Sequence, residues 1–519
     1  MTTLRLARGG QVQRVATSPG FLRRFGRMVA SRLGIQASGS VYENAGEGRR
    51  WVGLQSPGTG PTASLVSSNE SLRNRSHALL RNNAYAFSGR ETFVANIVGT
   101  GIVPHPQHGD DAFRTYLKAR FAAWTDKADA DGLTDFYGQT SLAVGGMFES
   151  GECFGRLRNR LRSDGLEVPL QVQILEAEMV PLWKNETLPD GYIRAGLEFD
   201  KIGRRRAVWM YREHPGEMSS LTARSLELVR VPASEVLHLF RPLRPGQLRG
   251  EPWLARVILR LADLARYSDA EVVRKSAAAM IAFVLELPDP EKATEIVSQL
   301  HDQAAEANGG ATIMEPGSVP VLGPGEHMET LSPADVGANF NAFFEQTLRE
   351  IAAGIGIPYE MLTGDLSKVN YSSIRAGTLE FWRRCDAVTH HDVVFKWCRP
   401  IWDRWLDQAA FAGVIPADEY LDNKEAFRAC VWVPPGRQWV DPESEVKAAL
   451  LEIEGGLTSR SRVVASKGDD VAEIDRERAA DNAREAALGI ERAAIDKSEL
   501  KTPSTTKAAP APPRTGTNG

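Results

Sequence analysis

The sequence predicts an α+β fold for this chain of 519 residues. Three features support the prediction. Apolar residues recur at helical spacing between residues 71 and 148, and short runs separated by turn residues fill the segment 153–240. Helical spacing then returns at Pro252 and dominates most of the remaining chain. The length is enough for roughly three domains of typical size.

The composition is that of a folded protein, with 42% hydrophobic and 25% charged residues. The net charge of −4 argues against a dedicated sequence-specific DNA-binding protein, which usually has a basic domain. It does not exclude a protein that lets DNA pass. The four cysteines form no CxxC pair, so mostly buried, reduced thiols are expected. The best apolar run, Ala277–Leu287, is too short to span a membrane.

The first 65 residues are rich in Gly, Ser, Thr and Arg and are predicted to be a flexible arm, apart from a short helix at Phe21–Leu33. Seven arginines precede the first acidic residue, Glu43. Two interpretations stay open: the arm contacts an acidic partner or nucleic acid by charge, or it is simply disordered.

Residues Ser71–Phe93 predict one helix with Ser71 as its N-cap. Two further helical segments between Phe113 and Phe148 surround the loop Asp129–Thr134. A mostly antiparallel β domain follows, with hairpin turns at Asp164–Gly165 and Lys201–Gly203. Its predicted strands are Cys153–Arg160, Leu170–Ile174, Arg194–Phe199, Ala207–Tyr211 and Glu235–Phe240.

Pro252 suits the first position of a long helix, Trp253–Met280, which would span about 42 Å. A second helix is predicted at Ala338–Ala353. An aromatic-rich helix should run from Ser373 to about Phe411, with a kink at Pro400.

Smaller elements complete the prediction. Between the first two long helices we expect a short helix at Glu291–Glu306 and strands near Thr312 and Val321. Residues 441–500 predict charged helices broken at Gly455–Gly456 and Gly468. The Pro-, Ala- and Thr-rich tail, residues 501–519, is predicted to be disordered.

Common enzyme motifs are absent from the sequence, which has no GxxxxGK[ST], GxSxG or HExxH pattern. Neighbouring residues on a helix point about 100° apart, so His390 and His391 cannot hold one ion from a single face. We therefore predict no catalytic residues, no metal and no cofactor.

Several motifs occur in a characteristic order over roughly residues 70 to 490. They are Arg81–Asn83 with Asn96–Ile102, Gly151–Glu152, Val236–Phe240 with Arg244–Trp253, Gly354–Glu360 with Gly364–Asp365 and Asn370–Ala376, and Val440–Pro442 with Gly455–Thr458. Together they resemble the lambda family of phage portal proteins.

The resemblance implies a homo-oligomeric ring, usually a homododecamer, at one capsid vertex of the virion. Such rings are assembled in the bacterial host cytoplasm and nucleate procapsid assembly with the major capsid and scaffold proteins. They dock the terminase large subunit and conduct duplex DNA without sequence specificity. Later they bind head-completion and tail connector proteins. Two other classes stay open: a different virion structural protein, such as a tail or capsid component, and a DNA-processing enzyme.

The resemblance also implies a portal fold with an α/β wing, a two-helix stem, a small α/β clip insertion and a helical C-terminal crown. The expected segments are the arm 1–65, wing 66–249, stem helix 250–280, clip 281–328, second stem helix 329–356, channel loop 357–372, wing helices 373–440, crown 441–500 and tail 501–519.

The channel loop is the predicted DNA-contacting site, through Asp365, Ser367, Lys368 and Asn370. An ordinary surface loop is the alternative. Ser372–Ser373 is expected to cap the next helix, and Arg375 to contact either an acidic neighbour or DNA. The aromatic stretch that contains Trp397 and Trp402 is expected to pack in a core or a subunit interface rather than to stack on bases.

Overall fold

The computed structural model describes residues 58–217, 227–280, 285–286, 321–322, 340–437 and 442–490. The elements below all belong to one unit of the chain, which begins at Gly60. The expected helices Phe21–Leu33 and Glu291–Glu306, the strand near Thr312 and the tail lie outside the described residues. Helices and several small sheets are both present, which confirms the predicted α+β class.

Five helices begin the unit: α1 (Pro61–Val66), α2 (Asn69–Asn82), α3 (Ala84–Ile97), α4 (Asp111–Thr125) and α5 (Phe136–Ser150). The prediction of one helix over Ser71–Phe93 is wrong. Asn83 has extended backbone angles, and its side-chain oxygen accepts hydrogen bonds from the N–H groups of Tyr85 and Ala86. This residue ends α2 and caps α3, so the chain breaks here although the apolar spacing continues.

Between Val103 and Phe240, the described residues form nine strands: β1 (Val103–Pro106), β2 (Glu152–Asn159), β3 (Leu170–Leu175), β4 (Glu186–Leu188), β5 (Gly191–Arg194), β6 (Leu197–Asp200), β7 (Arg205–Tyr211), β8 (Leu228–Pro232) and β9 (Val236–Phe240). They form a three-stranded sheet in the order β3-β2-β9 and a five-stranded sheet in the order β4-β5-β6-β7-β8. All pairs in both sheets are antiparallel, as predicted. The prediction of one strand over Arg194–Phe199 is wrong, because a turn at Ala195–Gly196 with positive φ angles of 50° and 80° separates β5 from β6.

Three short strands lie later in the chain. Leu285–Glu286 (β10) pairs in parallel with Val321–Leu322 (β11), so the strand predicted near Val321 is present. Cys430–Val433 (β12) pairs antiparallel with β1.

The long helices of the second half are α6 (Ile258–Met280), α7 (Phe340–Ile355), α9 (Tyr371–Val388) and α10 (Arg399–Ala412). Shorter helices are α8 (Tyr359–Thr363), α11 (Ala417–Asp422), α12 (Lys424–Arg428), α13 (Pro442–Glu454), α14 (Arg460–Ser466) and α15 (Val471–Leu488). Among the described residues, no helix is long and apolar enough to cross a membrane.

Two boundaries differ from the prediction. The turn after Pro252 is a 3₁₀ helix, Trp253–Arg256, and α6 begins at Ile258. A π-helical segment, Thr389–Cys398, joins α9 to α10 directly before Pro400. A kink was predicted at Pro400 because proline has no N–H to donate. The irregular hydrogen bonding lies instead within Thr389–Cys398, and Pro400 is in the first turn of α10.

Aromatic side chains fill the main core where α4, α5 and α10 meet. The Phe121 ring lies 5.1 Å from the Trp402 ring and 5.3 Å from the Trp405 ring, between centroids. Trp397 is fully buried as well. The expected core packing is thus confirmed for these tryptophans, whereas Phe395 and Phe411 are largely exposed.

Three of the four cysteines, Cys153, Cys385 and Cys398, are buried, and all four are unpaired. Burial raises the pKa of the Cys385 thiol to about 12. These thiols remain protonated at neutral pH, as expected of side chains that pack as small apolar groups.

A fully buried carboxylate, Glu152 at the start of β2, joins several of these elements. Arg73 of α2 donates to Glu152 Oε1, the Arg249 Nε lies 2.8 Å from the same oxygen, and the N–H of Gly250 donates to Oε2 at 2.8 Å. Burial alone would raise the pKa of Glu152, but Arg249 and Arg73 hold it well below its usual value. The side chain is therefore ionised and shared among four segments.

His238 of β9 completes this cluster. Its Nε2 lies 2.8 Å from Glu152 Oε2, and its Nδ1 lies 3.1 Å from the Arg205 Nη1. Arginine only donates, so Nδ1 is the acceptor and Nε2 carries the hydrogen. Burial lowers the pKa of His238 to about 3, even though the hydrogen bond to Glu152 opposes the shift. The imidazole is neutral in the folded protein.

The neutral state of His238 predicts a pH-dependent loss of stability. An unfolded histidine binds a proton below its ordinary pKa of 6.5, whereas folded His238 does not until about 3. Stability should fall as pH drops from 6.5, by about 2 kcal/mol at pH 5 from this residue. Glu152 contributes little to this slope above pH 5, because its carboxylate is mostly ionised in both the folded and the unfolded state above its ordinary pKa of 4.5.

Urea unfolding of His238→Gln between pH 7 and pH 5 measures this effect, and the variant should show a smaller slope than wild type. His390→Gln, at an exposed histidine, is the control and should keep the full slope. Burial also lowers the pKa of His105, so this residue adds to the slope of wild type. The difference in slope between wild type and His238→Gln isolates the contribution of His238. Equal slopes in all three proteins would contradict a neutral His238.

Candidate functional site

The two long helices α6 and α7 pack against each other along their length. Arg260 Nε lies 3.1 Å from Glu350 Oε1, and the Tyr267 ring lies 5.2 Å from the Phe343 ring. Further along α6, the Lys275 ammonium lies 5.4 Å from the Phe340 ring centroid. Residues progressively later in α6 therefore contact residues progressively earlier in α7, which shows that the two helices are antiparallel. The segment between the helices, residues 281–339, leaves and returns at the same end of the pair.

The other end of this helix pair is inserted in the main core. Leu261 and Leu264 of α6 are buried, as are Ile351 and Ile355 of α7. A Cβ at Gly354 would lie only 2.3 Å from Val257 Cγ1, so glycine permits the close approach here. Four apolar side chains of the pair are exposed: Leu259 near the start of α6, and Val272, Val273 and Phe343 toward the opposite end of the pair.

The predicted channel loop follows α7, and two glycines shape its first half. Gly356 and Gly364 both adopt positive φ, of 89° and 73°. The N–H of Gly356 donates to the Ala352 carbonyl at 2.8 Å and ends α7, and that of Gly364 donates to the Glu360 carbonyl at 2.8 Å and ends α8. The segment expected to be a simple loop therefore contains a helix, α8, between two glycine-dependent turns.

Helix α8 is attached to α3 by both hydrogen bonds and packing. Ser88 Oγ donates to the Leu362 carbonyl at 2.8 Å, and Thr92 Oγ1 donates to the Met361 carbonyl at 3.3 Å. Leu362 itself is buried, and a Cβ at Gly89 would lie 3.3 Å from its Cδ1. The first half of the channel loop is thus held to the rigid body of the fold, which leaves residues 364–370 as its projecting part.

Asp365 organises that projecting part through its own hydrogen bonds. Its Oδ1 accepts from the Ser367 N–H at 3.0 Å and from the Ser367 hydroxyl at 2.6 Å. Its Oδ2 accepts from the Tyr359 hydroxyl at 3.3 Å. The hydrogen bonds from Ser367 lower the pKa of Asp365. The Asp365 carboxylate and the Ser367 hydroxyl, which were expected to contact DNA, therefore stabilise the turn instead.

Lys368 is exposed at 69% of its side-chain surface but has an acidic partner. Its Nζ lies 2.6 Å from Glu345 Oε2 of α7, and Glu345 also contacts Arg349 at 2.5 Å. The hydrogen bond between them raises the pKa of Lys368 and lowers that of Glu345. Together with Asp365, these residues carry two positive and two negative charges, so the surface here is nearly neutral.

Asn370 caps the next helix. Its Oδ1 accepts from the Ser373 N–H at 2.9 Å and from the Ser373 hydroxyl at 2.8 Å. Capping by Ser372–Ser373, as the sequence suggested, is therefore wrong, since the acceptor lies two positions earlier and α9 begins at Tyr371. One turn into α9, Arg375 Nη2 lies 3.1 Å from Glu445 Oε1 of α13. Of the two partners expected for Arg375, the structure contains the acidic one.

The four predicted residues thus lie together on one projecting loop, but their chemistry differs. Asp365, Ser367 and Asn370 use their polar groups within the loop, and Lys368 holds the cation that is most open to solvent. The sequence analysis missed Glu345, which lies 23 positions from Lys368. A charge pair between separate helices leaves no periodic signal in the sequence. Such a surface can make weak ionic contacts with a polyanion but is not built for tight binding.

Comparison with known proteins gives consistent matches over most of the chain. The family described as "Phage portal protein, lambda family" matches residues 47–388. The chain is 26% identical over 454 residues to the "Probable portal protein" of Halomonas phage phiHAP-1, with 85% of each protein covered. It is 24% identical over 497 residues to "Portal protein B" of Escherichia phage lambda, covering 88% of this chain and 91% of that protein.

Among solved structures, a chain of "Neck of native GTA particle computed with C12 symmetry" aligns with a TM-score of 0.39 and 14% identity. The alignment covers 79% of this chain and 95% of that chain.

The capping role of Asn370 predicts a local stability change in the loop. Asn370→Ala removes the acceptor for the Ser373 N–H and should cost about 1 kcal/mol. Asn370→Asp keeps an acceptor at the same place and should behave nearly as wild type. Hydrogen exchange of the amides at the start of α9 measures the difference. Faster exchange in both variants, or in neither, would contradict the capping role.

Proposed function

The chain belongs to the lambda family of phage portal proteins, as a portal subunit of a phage head, and we propose that it forms a closed ring at one capsid vertex, through which DNA enters and leaves. The observation that carries the proposal is the antiparallel pair α6 and α7. One end of this pair is fixed in the core, and the other end carries an insertion of about 60 residues.

We assign this pair to the stem, within residues 250–280 and 329–356. Two helices from each subunit, repeated around a ring, can form the wall of a channel. The insertion, which contains the predicted clip at 281–328, then lies at the far end of the stem. That position makes it the natural surface for docking the terminase large subunit and, afterwards, the head-completion and tail connector proteins.

The exposed apolar residues of the pair support contacts between subunits. Leu259, Val272, Val273 and Phe343 are each more than half exposed within one described subunit, and the helix pair in water would gain free energy by burying them further. Neighbouring stems in a ring provide that cover. We propose a homododecamer, as is usual in the family.

The channel loop, residues 357–372, lies where α7 returns to the core and is the proposed DNA-facing element. Each phosphate that is neutralised by a firmly held cation adds affinity through counterion release, and high affinity would impede a moving strand. Lys368 is already paired with Glu345. To contact a phosphate, Lys368 must first separate from Glu345, which keeps each contact with DNA weak. In a ring, every subunit would provide one such contact.

The remaining assignments follow the family architecture. Residues 66–249 and 373–440 form the wing, and residues 441–500 form the crown. Procapsid assembly would proceed with the major capsid and scaffold proteins in the host cytoplasm, and the ring would remain in the virion at the portal vertex. Duplex DNA would pass without sequence-specific contacts, in agreement with the net charge of −4.

Negative-stain imaging of the purified protein tests the ring. We expect closed rings with a central hole wide enough for duplex DNA. Val273→Asp places a charge on the exposed stem surface and should leave folded subunits that no longer close rings, because burying an unpaired carboxylate is costly. Ile202→Asp, in an exposed hairpin turn, is the matched control and should form rings. A stable wild-type monomer, or tubes without a hole, would contradict the proposal.

The loop assignment predicts that substituting either partner of the Lys368–Glu345 ion pair alters DNA packaging or passage. Lys368→Ala should assemble normally but change the amount of DNA packaged or retained, whereas Glu345→Gln frees the Lys368 cation and should slow DNA passage with a steeper salt dependence. Lys201→Ala removes a comparable exposed lysine, paired with Asp190 at 3.3 Å, and should behave as wild type. Packaged DNA per head and infectivity are the measurements. Normal values for both loop variants would exclude a channel role.

A further inference from the structure

A large cavity of about 890 Å³ opens between β2–β3 and the five-stranded sheet, away from the channel loop. Its walls include Arg156 of β2, Gln173 of β3, and Met210 and Val231 of the five-stranded sheet. Glu176, directly after β3, and His214, in the turn after β7, also line this cavity. The cavity thus brings together ligand-type side chains from the two sheets.

Three side chains near this cavity carry atoms that bind metals. The carboxylate oxygens of Glu176 and Glu178 and a ring nitrogen of His214 all lie within 4.8 Å of one another. His214 Nε2 lies 3.0 Å from Glu176 Oε2. The edge of a tetrahedral zinc site, from metal–ligand distances of about 2.0–2.2 Å, is about 3.3 Å. The three ligand atoms, within 4.8 Å of one another, are thus near the spacing of such a site.

Glu178 supplies a second, independent observation. Both of its carboxylate oxygens are buried, and neither has a hydrogen-bond partner among the residues that the structure describes. A buried carboxylate normally has a hydrogen-bonding or charged partner, because its desolvation is otherwise uncompensated. The group therefore lacks the partner that its charge requires.

Three nearby arginines, Arg158, Arg212 and Arg249, form their hydrogen bonds with other groups. The Arg249 guanidinium is close enough to sense the charge of Glu178. Its hydrogen bonds nevertheless go to Glu152 and to the carbonyl oxygens of Ala177, Val180 and Ala195. On the cavity side, Arg158 donates to Gln173 at 2.5 Å and Arg212 donates to Glu227 at 2.9 Å. Both arginines are thus engaged away from Glu178.

We propose that Glu176, Glu178 and His214 bind one divalent cation that prefers mixed nitrogen and oxygen ligands, with Zn²⁺ as the best match. An imidazole nitrogen favours Zn²⁺ over Mg²⁺ and Ca²⁺, which prefer oxygen ligands. Three protein ligands leave a fourth position for water on the cavity side. This assignment differs from the sequence-based expectation of no metal, which rested on the absence of CxxC and HExxH patterns and on the pair His390–His391.

The bound cation would connect the two sheets. Glu176 and Glu178 lie in the segment that follows β3 of the three-stranded sheet, and His214 follows β7 of the five-stranded sheet. A shared ion would fix the turn after β7 against the rest of the wing. The site is independent of the channel loop and of ring formation, so either proposal can fail without the other.

The test uses untagged full-length protein, stripped with a chelator and dialysed. Calorimetric titration with Zn²⁺ should show one site per chain. Binding to His214→Ala and Glu178→Gln should be weaker by at least about 100-fold, because losing even an outer partner of a metal site costs roughly 10–100-fold. His390→Ala, at an exposed histidine outside the cluster, should bind as wild type.

Co²⁺ in place of Zn²⁺ gives a second readout that does not depend on affinity alone. Wild-type protein should show the visible absorption of a four- or five-coordinate ion, and His214→Ala should not. Circular dichroism and ring imaging of the variants establish that they fold. Undiminished Zn²⁺ binding by folded His214→Ala, absence of binding by wild type, or binding of Mg²⁺ or Ca²⁺ in preference to Zn²⁺ would each overturn the assignment.

Discussion

The hydrogen bonds and ion pairs of the buried Glu152 carboxylate are the interactions on which the rest of the structure depends. An ionised group without contact with water is stable only when several donors surround it. Here the donors come from α2, from β9 and from the segment of Arg249 and Gly250, so these elements must all be in place at once. Arg249 extends the network to three backbone carbonyls beside the five-stranded sheet. The backbone approaches closely at this point, since a Cβ on Gly250 would lie 2.0 Å from the Gly151 carbonyl oxygen.

A rigid body of this kind can hold a projecting helix pair. The base of α6 and α7 is packed in the same core that contains β2, and α8 is hydrogen-bonded to α3. The proposed channel loop therefore begins and ends at fixed points. In the proposed ring, a nearly neutral surface on a firmly attached loop would guide a polyanion without retaining it.

The sequence predicted the elements well where one local signal decides the structure. Strands β2, β3, β7 and β9, the hairpin turn at Asp164–Gly165 and the breaks in the C-terminal helices follow from residue patterning and from glycine positions. It failed where two local signals compete. The apolar spacing over Ser71–Phe93 is continuous, yet the side chain of Asn83 caps a new helix within it. The sequence predicted a helix kink at Pro400. The structure instead has a π-helical segment just before this residue, at Thr389–Cys398.

The sequence by itself determined the α+β class, the family and the loop that carries Lys368, because these depend on residues that are close together or on motifs in a fixed order. Only the tertiary structure decided what the side chains do. Lys368 is paired with Glu345, and Glu152 with Arg249, across many positions of sequence. Charges and hydrogen bonds act over a few ångströms in space, and the partners of a side chain are therefore fixed only once the helices and sheets have packed.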